Sequence, residues 1–423
     1  MKKLLMLGAP FSSMEIVQKA KGRGWYTIVT DNRPLVVSPV KQAADDYWNI
    51  STAETELLEE KCREEGIDAI FTGVSEFNLD RVLMMTRDLD LPCYIDEEAW
   101  KFARNKYLFK EKCLEKGVPV VQSYPIPDSN DESSWSQIKY PVVVKPVDGT
   151  GNAGLSICNN REELLDGLRK AREFSPNQKI IIERYVIGDE TWNYYFVAEG
   201  QIRYVYSGRV FRQPGYPTFL YSFGTTAAGG VDEYLSKVNP QCLELLSDVG
   251  CKEGTAWIQC IKDEEGNYYA LEMALRMSAD TTGDTLEKCL GFNTVDWMLD
   301  TALGVRHSAD MLPQQVERPY TGAHCVYFLF ANHSGRVELM RGFDRLDPNL
   351  YHVEPIVRVG DHVSQYRLMT KITFFARNAE DMCQSLQYLN ETIEIVDTDA
   401  ESLVIRFTDY DEVRRGHRGL MRE

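Results

Sequence analysis

A lysine followed by a glycine-rich loop is the first stretch of this sequence whose residue types could do chemistry. The β-branched run at 142–144 suits a buried strand and leads into Lys145. Glycines let a backbone approach a ligand closely and turn its amide groups toward anionic oxygens, and the lysine adds a mobile positive charge. The segment therefore predicts a phosphate-holding loop, which contains Gly149, Thr150, Gly151 and Gly154.

Residues 149–154 also match the dinucleotide fingerprint G-x-G-x-x-G literally. The loop by itself therefore permits a nicotinamide-dependent oxidoreductase as well as a phosphate cover. The fingerprint must open a helix, whereas here a short apolar stretch follows at 155–157 and the helical pattern begins only near Asn160. A strand, a glycine turn and a second strand instead predict a lid over nucleotide phosphates. An ordinary glycine-rich hairpin is the alternative without function.

Lys106 is a second cation at an unusual position. It opens a predicted helix at 106–116, where a positive charge opposes the helix dipole. A nucleotide phosphate nearby would explain it, and a solvated lysine is the ordinary alternative. Further along, two strand-like segments at 254–261 and 268–276 are joined by a polar turn. This pairing predicts that Gln259 and Glu272 lie side by side.

The composition limits the classes of function. With 43% hydrophobic and 26% charged residues among 423, the chain is typical of a globular protein of several domains. A formal charge of −17 argues against a nucleic-acid or anionic-membrane binder, although one basic pocket for a nucleotide remains compatible with it. We find no signal-peptide pattern and no apolar run long enough for a membrane span. Ten scattered cysteines without a C-x-x-C pair favour a reducing cytoplasm.

The elements that must position these residues begin with alternating strands and helices at 1–95, which predict a parallel sheet covered by helices. The turn after the first strand, at 8–13, lacks further fingerprint glycines, so a dinucleotide is not expected there. Asp31 ends a predicted strand and could bind a hydroxyl group or simply be a polar terminus. The loop at 73–76 follows another strand, where open α/β sheets bind ligands.

The order of these segments resembles ATP-grasp enzymes of the carboxylate-amine ligase type, such as biotin carboxylase and the large subunit of carbamoyl phosphate synthetase. Residues 105–120 resemble the family's linker helix, 140–154 its lysine strand and glycine loop, and 180–190 its adenine hinge. The resemblance implies a fold of the α/β and α+β classes, the ATP-grasp fold. Its parts would be a Rossmann-like pre-ATP-grasp domain at 1–95, an ATP-grasp domain at 96–311 with its lid subdomain at about 117–186, and a C-terminal α+β extension at 312–423.

The resemblance also implies roles for individual residues. Lys106 and Lys145 match the two lysines that hold nucleotide phosphates, beneath the loop that contains Gly149, Thr150, Gly151 and Gly154. Glu183 and Val186 match the hinge that binds adenine, and Glu190 matches the acid that binds the ribose hydroxyls. Arg276 matches the arginine that stabilises the transferred phosphoryl group, with a structural salt bridge as the alternative.

Gln259 and Glu272 match the positions that bind magnesium, a hard cation that prefers oxygen ligands shared with phosphates. The family's Glu-x-Asn-x-Arg motif is Glu-Met-Ala-Leu-Arg in this chain. Ala274 cannot ligate a metal, so the second magnesium is weakened or its ligation passes to water, Asp280 or Asp284. The expected cofactors are ATP and Mg²⁺, with Mn²⁺ as a substitute.

The resulting hypothesis is a cytoplasmic ATP-dependent ligase. A small-molecule carboxylate attacks the γ-phosphoryl group of ATP to form an acyl phosphate, and an amine or similar nucleophile then displaces phosphate. We expect no nucleic-acid or membrane partner, and a homodimer is compatible with the resemblance. Two alternatives stay open at this stage, namely an ATP-binding protein that lost turnover, because of Ala274, and the oxidoreductase that the fingerprint permits.

Overall fold

The chain begins with a small parallel sheet, as its alternating pattern predicts. In a computed structural model, which describes residues 1–128, 131–147, 154–175, 177–217, 220–277 and 283–422, the strand order of this sheet is β3-β2-β1-β4. Its strands are β1 (Lys3–Leu7), β2 (Tyr26–Thr30), β3 (Asp46–Trp48) and β4 (Ala69–Phe71). Helices surround it, namely α1 (Met14–Gly22), α2 (Pro39–Ala43), α3 (Thr55–Glu65), α4 (Glu76–Asp88) and α5 (Glu97–Arg104). Strand β3 was not predicted from the sequence.

Side-chain caps fix where the helices nearest the predicted site begin. The side chain of Ser75 accepts a hydrogen bond from the backbone N–H of Asn78 at the start of α4. Asn105 caps the next helix, α6 (Lys106–Glu115), by accepting from the N–H groups of Tyr107 and Leu108. Such caps satisfy donors that the first turn of a helix leaves unpaired. The cap at Asn105 therefore sets Lys106 in the first turn.

A second, antiparallel sheet follows the linker helix α6. Its strand order is β5-β8-β6-β7. The elements are β5 (Ser123–Tyr124), α7 (Glu132–Ser136), β6 (Val142–Pro146), β7 (Ser156–Cys158), α8 (Arg161–Glu173) and β8 (Ile180–Arg184). A separate buried cluster that includes Trp135, Val142, Leu164 and Ile182 packs α8 against this sheet. The unit therefore has a core of its own, as a lid subdomain requires.

The largest sheet has nine strands and joins the middle of the chain to its C-terminal part. Its order is β13-β12-β9-β10-β11-β14-β18-β16, and β20 pairs with β14. Its strands are β9 (Gly188–Ala198), β10 (Gln201–Phe211), β11 (Phe223–Thr225), β12 (Gly254–Asp263), β13 (Tyr268–Ala274), β14 (Ala323–Ala331), β16 (Tyr351–Pro355), β18 (Leu368–Ala376) and β20 (Val404–Ile405). The chain after residue 312 thus extends the sheet that the preceding segment begins.

The remaining elements complete the large sheet and its surroundings. They are α9 (Val231–Lys237), α10 (Asn239–Asp248), α11 (Gly283–Leu290), α12 (Thr294–Ala302), α13 (Ala379–Thr392), α14 (Tyr410–His417) and the three-stranded sheet β17 (His362–Val363), β15 (Gly335–Arg341) and β19 (Glu394–Asp397). One buried cluster includes Leu5 and Ile70 of the first sheet together with Tyr195 and Ile258 of the large sheet. These two sheets therefore share a core. Among the described residues, no helix combines the length and the apolar character needed to cross a membrane.

Candidate active site

One face of the large sheet collects the polar residues that the sequence singled out. Gln259 on β12 is the register partner of Trp192 on β9 and of Glu272 on β13. Directly opposed residues of antiparallel strands point to the same side of a sheet. Glu190, two residues before Trp192, lies on that side as well. We call this side the cleft face, and the predicted adjacency of Gln259 and Glu272 is confirmed by the register.

Lys106 reaches the cleft face from the start of α6. Its Nζ lies 2.9 Å from Oε2 of Glu272. Burial opposes the charge on Glu272, but Lys106, then Lys145 and Arg276, outweigh it and hold the pKa of this carboxyl below its usual value. Burial likewise disfavours the charge on Lys106, and the carboxylate of Glu272 raises its pKa overall. The pair therefore stays ionised at neutral pH.

Glu183 at the end of β8 holds two lysines. Lys145 Nζ lies 2.8 Å from one of its carboxylate oxygens, and Lys110 donates to the other. Burial works against the charge on Glu183, yet the two ammonium groups lower its pKa. Burial and the nearby Lys145 lower the pKa of Lys110 in spite of this carboxylate. Three cations, with Lys106, thus face one cleft.

Glu190 is bound on both of its oxygens. Arg212, just after β10, donates to Oε1 at 2.6 Å, and the amide nitrogen of Gln259 donates to Oε2 at 2.8 Å. The carbonyl oxygen of Gln259 is therefore the atom left for a cation or another ligand, since the amide nitrogen is engaged. In this structure Glu190 links the predicted ribose end of the site to the predicted metal end.

Arg276 meets the N-terminal part of the chain. Its Nη2 lies 3.1 Å from Oε1 of Glu76, the first residue of α4 after the predicted loop, and its guanidinium carbon lies 5.1 Å from the centroid of the Trp257 ring. The Nε atom is buried and has no hydrogen-bond partner among the described residues. Arg276 thus retains a donor that could meet an anionic oxygen.

An apolar cluster lies where the hinge meets the large sheet. Val186 packs with Val121 and Ile261, and Tyr269 and Leu271 border them. Because Ile261 pairs with Glu190 and lies two residues from Gln259, this cluster adjoins the polar groups of the cleft face. A flat, weakly polar base such as adenine would find apolar contacts here, with charged groups beside it.

The glycine loop connects two antiparallel strands. Strands β6 and β7 pair from Val142–Cys158 to Val144–Ser156, and the helix that follows begins only at Arg161. This strand-loop-strand arrangement contradicts the dinucleotide fingerprint, which must open a helix, so the oxidoreductase alternative is not supported. Gly154 has φ +78°, and a Cβ there would lie 2.8 Å from Phe174 Cβ. Gly149, Thr150 and Gly151 lie outside the described residues.

The donor atoms at the metal end fit a hard cation. Glu272 contributes a carboxylate and Gln259 a carbonyl oxygen, the ligand types that magnesium prefers. In this structure the ammonium group of Lys106 compensates the negative charge of Glu272. Ala274 is buried opposite Trp257 and adds no ligand. Asp280 and the side chain of Asp284, the suggested substitutes, lie outside the described residues.

Other predicted residues take structural contacts. Asp31 pairs with the buried Lys41 at 2.8 Å and with Arg33 at 3.0 Å. These ion pairs explain the position of its carboxylate at the strand end without a bound ligand. Sequence reasoning missed Lys110 and left Arg212 without a role. Lys110 could have been found as the residue four positions after Lys106, on the same helix face. Arg212 meets Glu190 because β9 and β10 pair antiparallel with Arg209 opposite Thr191, and the sequence alone does not specify that register.

Comparison with known proteins finds similarity to the large chain of carbamoyl phosphate synthases. Residues 105–208 match the family model described as "Carbamoyl-phosphate synthase L chain, ATP binding domain". The N-terminal section of the carbamoyl phosphate synthase large chain of Aquifex aeolicus is 22% identical over 327 residues, which are 71% of this chain and 58% of that protein. The matched region of the large chain of Clostridium perfringens is 19% of that protein. This chain therefore matches only part of the length of these curated relatives.

Solved structures of similar fold cover nearly the whole chain. The L-amino acid ligase of Bacillus licheniformis superposes with a TM-score of 0.76 at 18% identity, covering 94% of this chain and 99% of that one. The biotin carboxylase domain of the Hydrogenobacter thermophilus 2-oxoglutarate carboxylase gives a TM-score of 0.75 at 18% identity, covering 96% and 91%. The chain thus has the ATP-grasp fold, and the resemblance that its sequence suggested is confirmed.

Proposed function

We propose that this protein is an ADP-forming, ATP-dependent ligase that activates a small-molecule carboxylate and joins it to an amine or similar nucleophile. The observation that carries the proposal is a single cleft that contains two ion pairs, Lys106–Glu272 and Lys145–Glu183. Arg276 lies at the end of this cleft, where it pairs with Glu76. Three lysines and an arginine lie in this cleft, and each of them is paired with a glutamate. Phosphate oxygens are acceptors that these ammonium and guanidinium groups can bind in place of the carboxylates, so a triphosphate is the ligand class that we propose.

ATP would lie along this cleft with its base against Val186 and its phosphates toward Lys145 and Lys106. The ammonium groups would then exchange their carboxylate partners for phosphate oxygens. Because the lysine side chains already point into the cleft, they would have to move little when ATP binds. A triphosphate between Glu183 and Glu272 would lie close to two carboxylates. The lysines would compensate its negative charge there. Catalysis would rest on positioning and charge neutralisation.

In the first step an oxygen of the acceptor carboxylate attacks the γ-phosphorus. A new P–O bond forms to the acceptor, the bond from the γ-phosphorus to the β–γ bridging oxygen breaks, and ADP leaves. Arg276 stabilises the transferred group through its planar guanidinium. In the second step the amine nitrogen attacks the acyl carbon, the C–N bond forms, inorganic phosphate leaves with the acyl oxygen, and the amine releases a proton to solvent.

Gln259 and Glu272 would hold a magnesium ion, with Mn²⁺ as a substitute. Such an ion supplies charge neutralisation at the phosphates when it is bound. Glu190 keeps the amide nitrogen of Gln259 engaged and so presents its carbonyl oxygen. Glu272 would keep its carboxylate ionised for the same purpose, since its pKa is lowered.

The test is ATP cleavage by the purified chain with pooled amino acids, magnesium and ATP. We expect acceptor-dependent release of ADP and phosphate, and AMP with pyrophosphate as products would contradict the proposal. Glu272→Gln should lower the rate by about 100-fold, because it removes a carboxylate from the charged cleft. Glu244→Gln, on the exposed side of α10, is the matched control and should leave the rate unchanged.

A second candidate is an ATP-binding protein of the same fold with weakened or lost turnover. The observation that favours it is Ala274, which is buried on the cleft face and offers no metal ligand. Binding of ATP without acceptor-stimulated release of ADP across broad substrate pools would support this candidate. The replacement Ala274→Asn distinguishes the two: acceptor-stimulated ADP release by the unmodified chain that the variant does not increase would favour the ligase, whereas ADP release that appears only in the variant would favour lost turnover.

The domain boundaries at 95 and 311, cytoplasmic location and a homodimer stay predictions. The small-molecule carboxylate and amine remain the expected partners of the site, and we propose no nucleic-acid or membrane partner. Which acceptor carboxylate enters the two proposed steps depends on what the rest of the cleft face can bind.

A further inference from the structure

The cleft face continues beyond Gln259 into a shallow pocket that is open to solvent. Its lining comes from four neighbouring strands of the large sheet. The residues that face it from these strands are Trp192, Tyr194, Tyr206, Gly208, Val210, Gly224, His324, Val326 and Phe328. The cross-strand pairs Trp192–Gly208, Val210–Gly224 and Gly224–Val326 place their members on one side of the sheet.

Aromatic rings form most of the pocket wall. Tyr194 stacks on Tyr206 with ring centroids 4.4 Å apart. The ring of Tyr221 lies edge-on to Trp192 at 5.6 Å and to Phe328 at 6.2 Å. Trp192 and Tyr194 are only half-buried, so apolar surface remains for a ligand to cover. The rings hold one another in place and leave a preformed apolar slot.

Among the residues that the structure describes, the lining of the pocket contains no carboxylate and no lysine, and its two basic side chains are His324 and Arg209. Arg209 contributes to its wall, but its guanidinium bonds to Asp189 and Glu412 and lies over the ring of Phe211. Thr225, the register partner of Arg209, also borders the pocket, as does Thr226. A charged ligand group placed here would lose its hydration without compensation.

The pocket is continuous with the proposed reaction site. Trp192 in its wall is the register partner of Gln259, and opposed side chains on paired strands lie about 5 Å apart. A ligand in the slot would therefore have its reacting end beside Gln259 and Glu190.

We propose that this pocket selects the acceptor, and that the acceptor is a carboxylate with an uncharged apolar side group, aromatic or branched, which packs against the exposed faces of these rings. The inference rests on the proposed function, because it assumes that the carboxylate reacts at the cleft. The apolar group lies between the rings and Val326. The carboxylate projects toward Gln259, where phosphoryl transfer takes place.

Gly224 offers a direct test of the pocket. It lies on β11 with φ outside the left-handed region, and a Cβ built there would lie 3.7 Å from both Phe328 and Val210. An added side chain therefore fits the backbone and projects into the slot. Gly224→Val should raise the Kd of L-phenylalanine about tenfold and change that of L-alanine less than twofold. Gly22→Ala, where a Cβ meets no atom within 4 Å, is the control.

Binding is measured by calorimetric titration of L-phenylalanine, L-leucine, L-alanine and L-aspartate into the full chain with a non-hydrolysable ATP analogue and magnesium. L-Phenylalanine and L-leucine should bind about tenfold more tightly than L-aspartate. No binding of either apolar probe, equal binding of L-aspartate, or no effect of Gly224→Val would each overturn the inference.

A parallel assay of ADP release separates this inference from the proposed function. Apolar probes that bind and respond to Gly224→Val without any ADP release would contradict the ligase and leave the pocket assignment standing. ADP release that is stimulated by L-aspartate but not by L-phenylalanine or L-leucine would support the ligase and overturn the pocket assignment.

Discussion

At the scale of single residues, the cleft is a set of paired charges. Each carboxylate in it accepts from at least one cation, so Lys106 with Glu272 and Lys145 with Glu183 hold each other in position before any ligand arrives. The lowered pKa values of both glutamates follow from these contacts. Their residue types were evident in the sequence. Their partners were not, because each pair joins residues far apart in the chain.

Lys110 gives a test at this scale. Replacement by methionine removes one of the two ammonium groups on Glu183 and one cation near the predicted phosphates. We expect the KM for ATP to rise about tenfold, the size of one charge-assisted contact. Lys112→Met on the same helix is the control, since Lys112 pairs with Glu115 and Asp248 at the surface. Equal KM values for the two variants would contradict a role for Lys110.

At the scale of secondary-structure elements, the strands of the large sheet bring the site residues together. The C-terminal helix α14 packs against the opposite face of this sheet. Helix α14 packs on β10, where the ring of His417 lies 5.5 Å from that of Phe211. His417 is buried and donates through Nδ1 to the carbonyl of Val413. Burial, followed by the charge of Arg209, lowers the pKa of His417 to about 4.

This lowered pKa predicts how α14 responds to acid. The unfolded histidine takes up a proton near its ordinary pKa of 6.5, whereas the folded one does so only near 4. The contribution of His417 to stability is therefore complete above pH 6.5 and is lost as the pH falls from 6.5 to 4. The free energy of unfolding should decrease by about 2–3 kcal/mol over this interval on this account.

Urea unfolding at pH 7 and pH 4.5 measures this effect. His417→Gln should reduce the loss of stability between the two pH values, because glutamine does not titrate. His362→Gln, at an exposed position of β17, should keep the full loss. A pH dependence in His417→Gln equal to that of the unmodified chain would show that His417 is not its source.

At the scale of the whole molecule, the N-terminal sheet is fastened to the rest by a shared core and by ion pairs. Arg23, just after α1, pairs with Asp296 at 2.8 Å and with Asp300 at 2.6 Å on α12. Arg276 and Glu76 make a second link at the cleft. The first predicted domain therefore carries part of the site, through Glu76 at the start of α4.

Arg23→Met tests this fastening. The loss of hydrogen bonds to two carboxylates should lower the free energy of unfolding by about 1–2 kcal/mol, measured by urea denaturation at pH 7. Arg63→Met is a suitable comparison, because Arg63 lies on α3 and pairs only within the N-terminal part with Glu59. That variant should change stability by less than about 0.5 kcal/mol. Similar losses in both would argue against a fastening role for Arg23.

The sequence by itself determined the types and order of the elements near the site. The parallel character of the first sheet, the hairpin around the glycine loop, and the adjacency of Gln259 and Glu272 all follow from short-range patterns of apolar, glycine and polar residues. The family resemblance added the ATP-grasp fold, which the comparisons confirm.

Only the tertiary structure decided which distant residues meet. The contact of Glu76 with Arg276 depends on how the N-terminal part packs on the large sheet, and the pocket between Trp192 and Phe328 depends on strand order in that sheet, where β10 and β11 lie between β9 and β14. A strand's alternating pattern shows which residues share a face, but it does not show which strand lies beside it. Contacts across neighbouring strands therefore become visible only once the sheet is assembled.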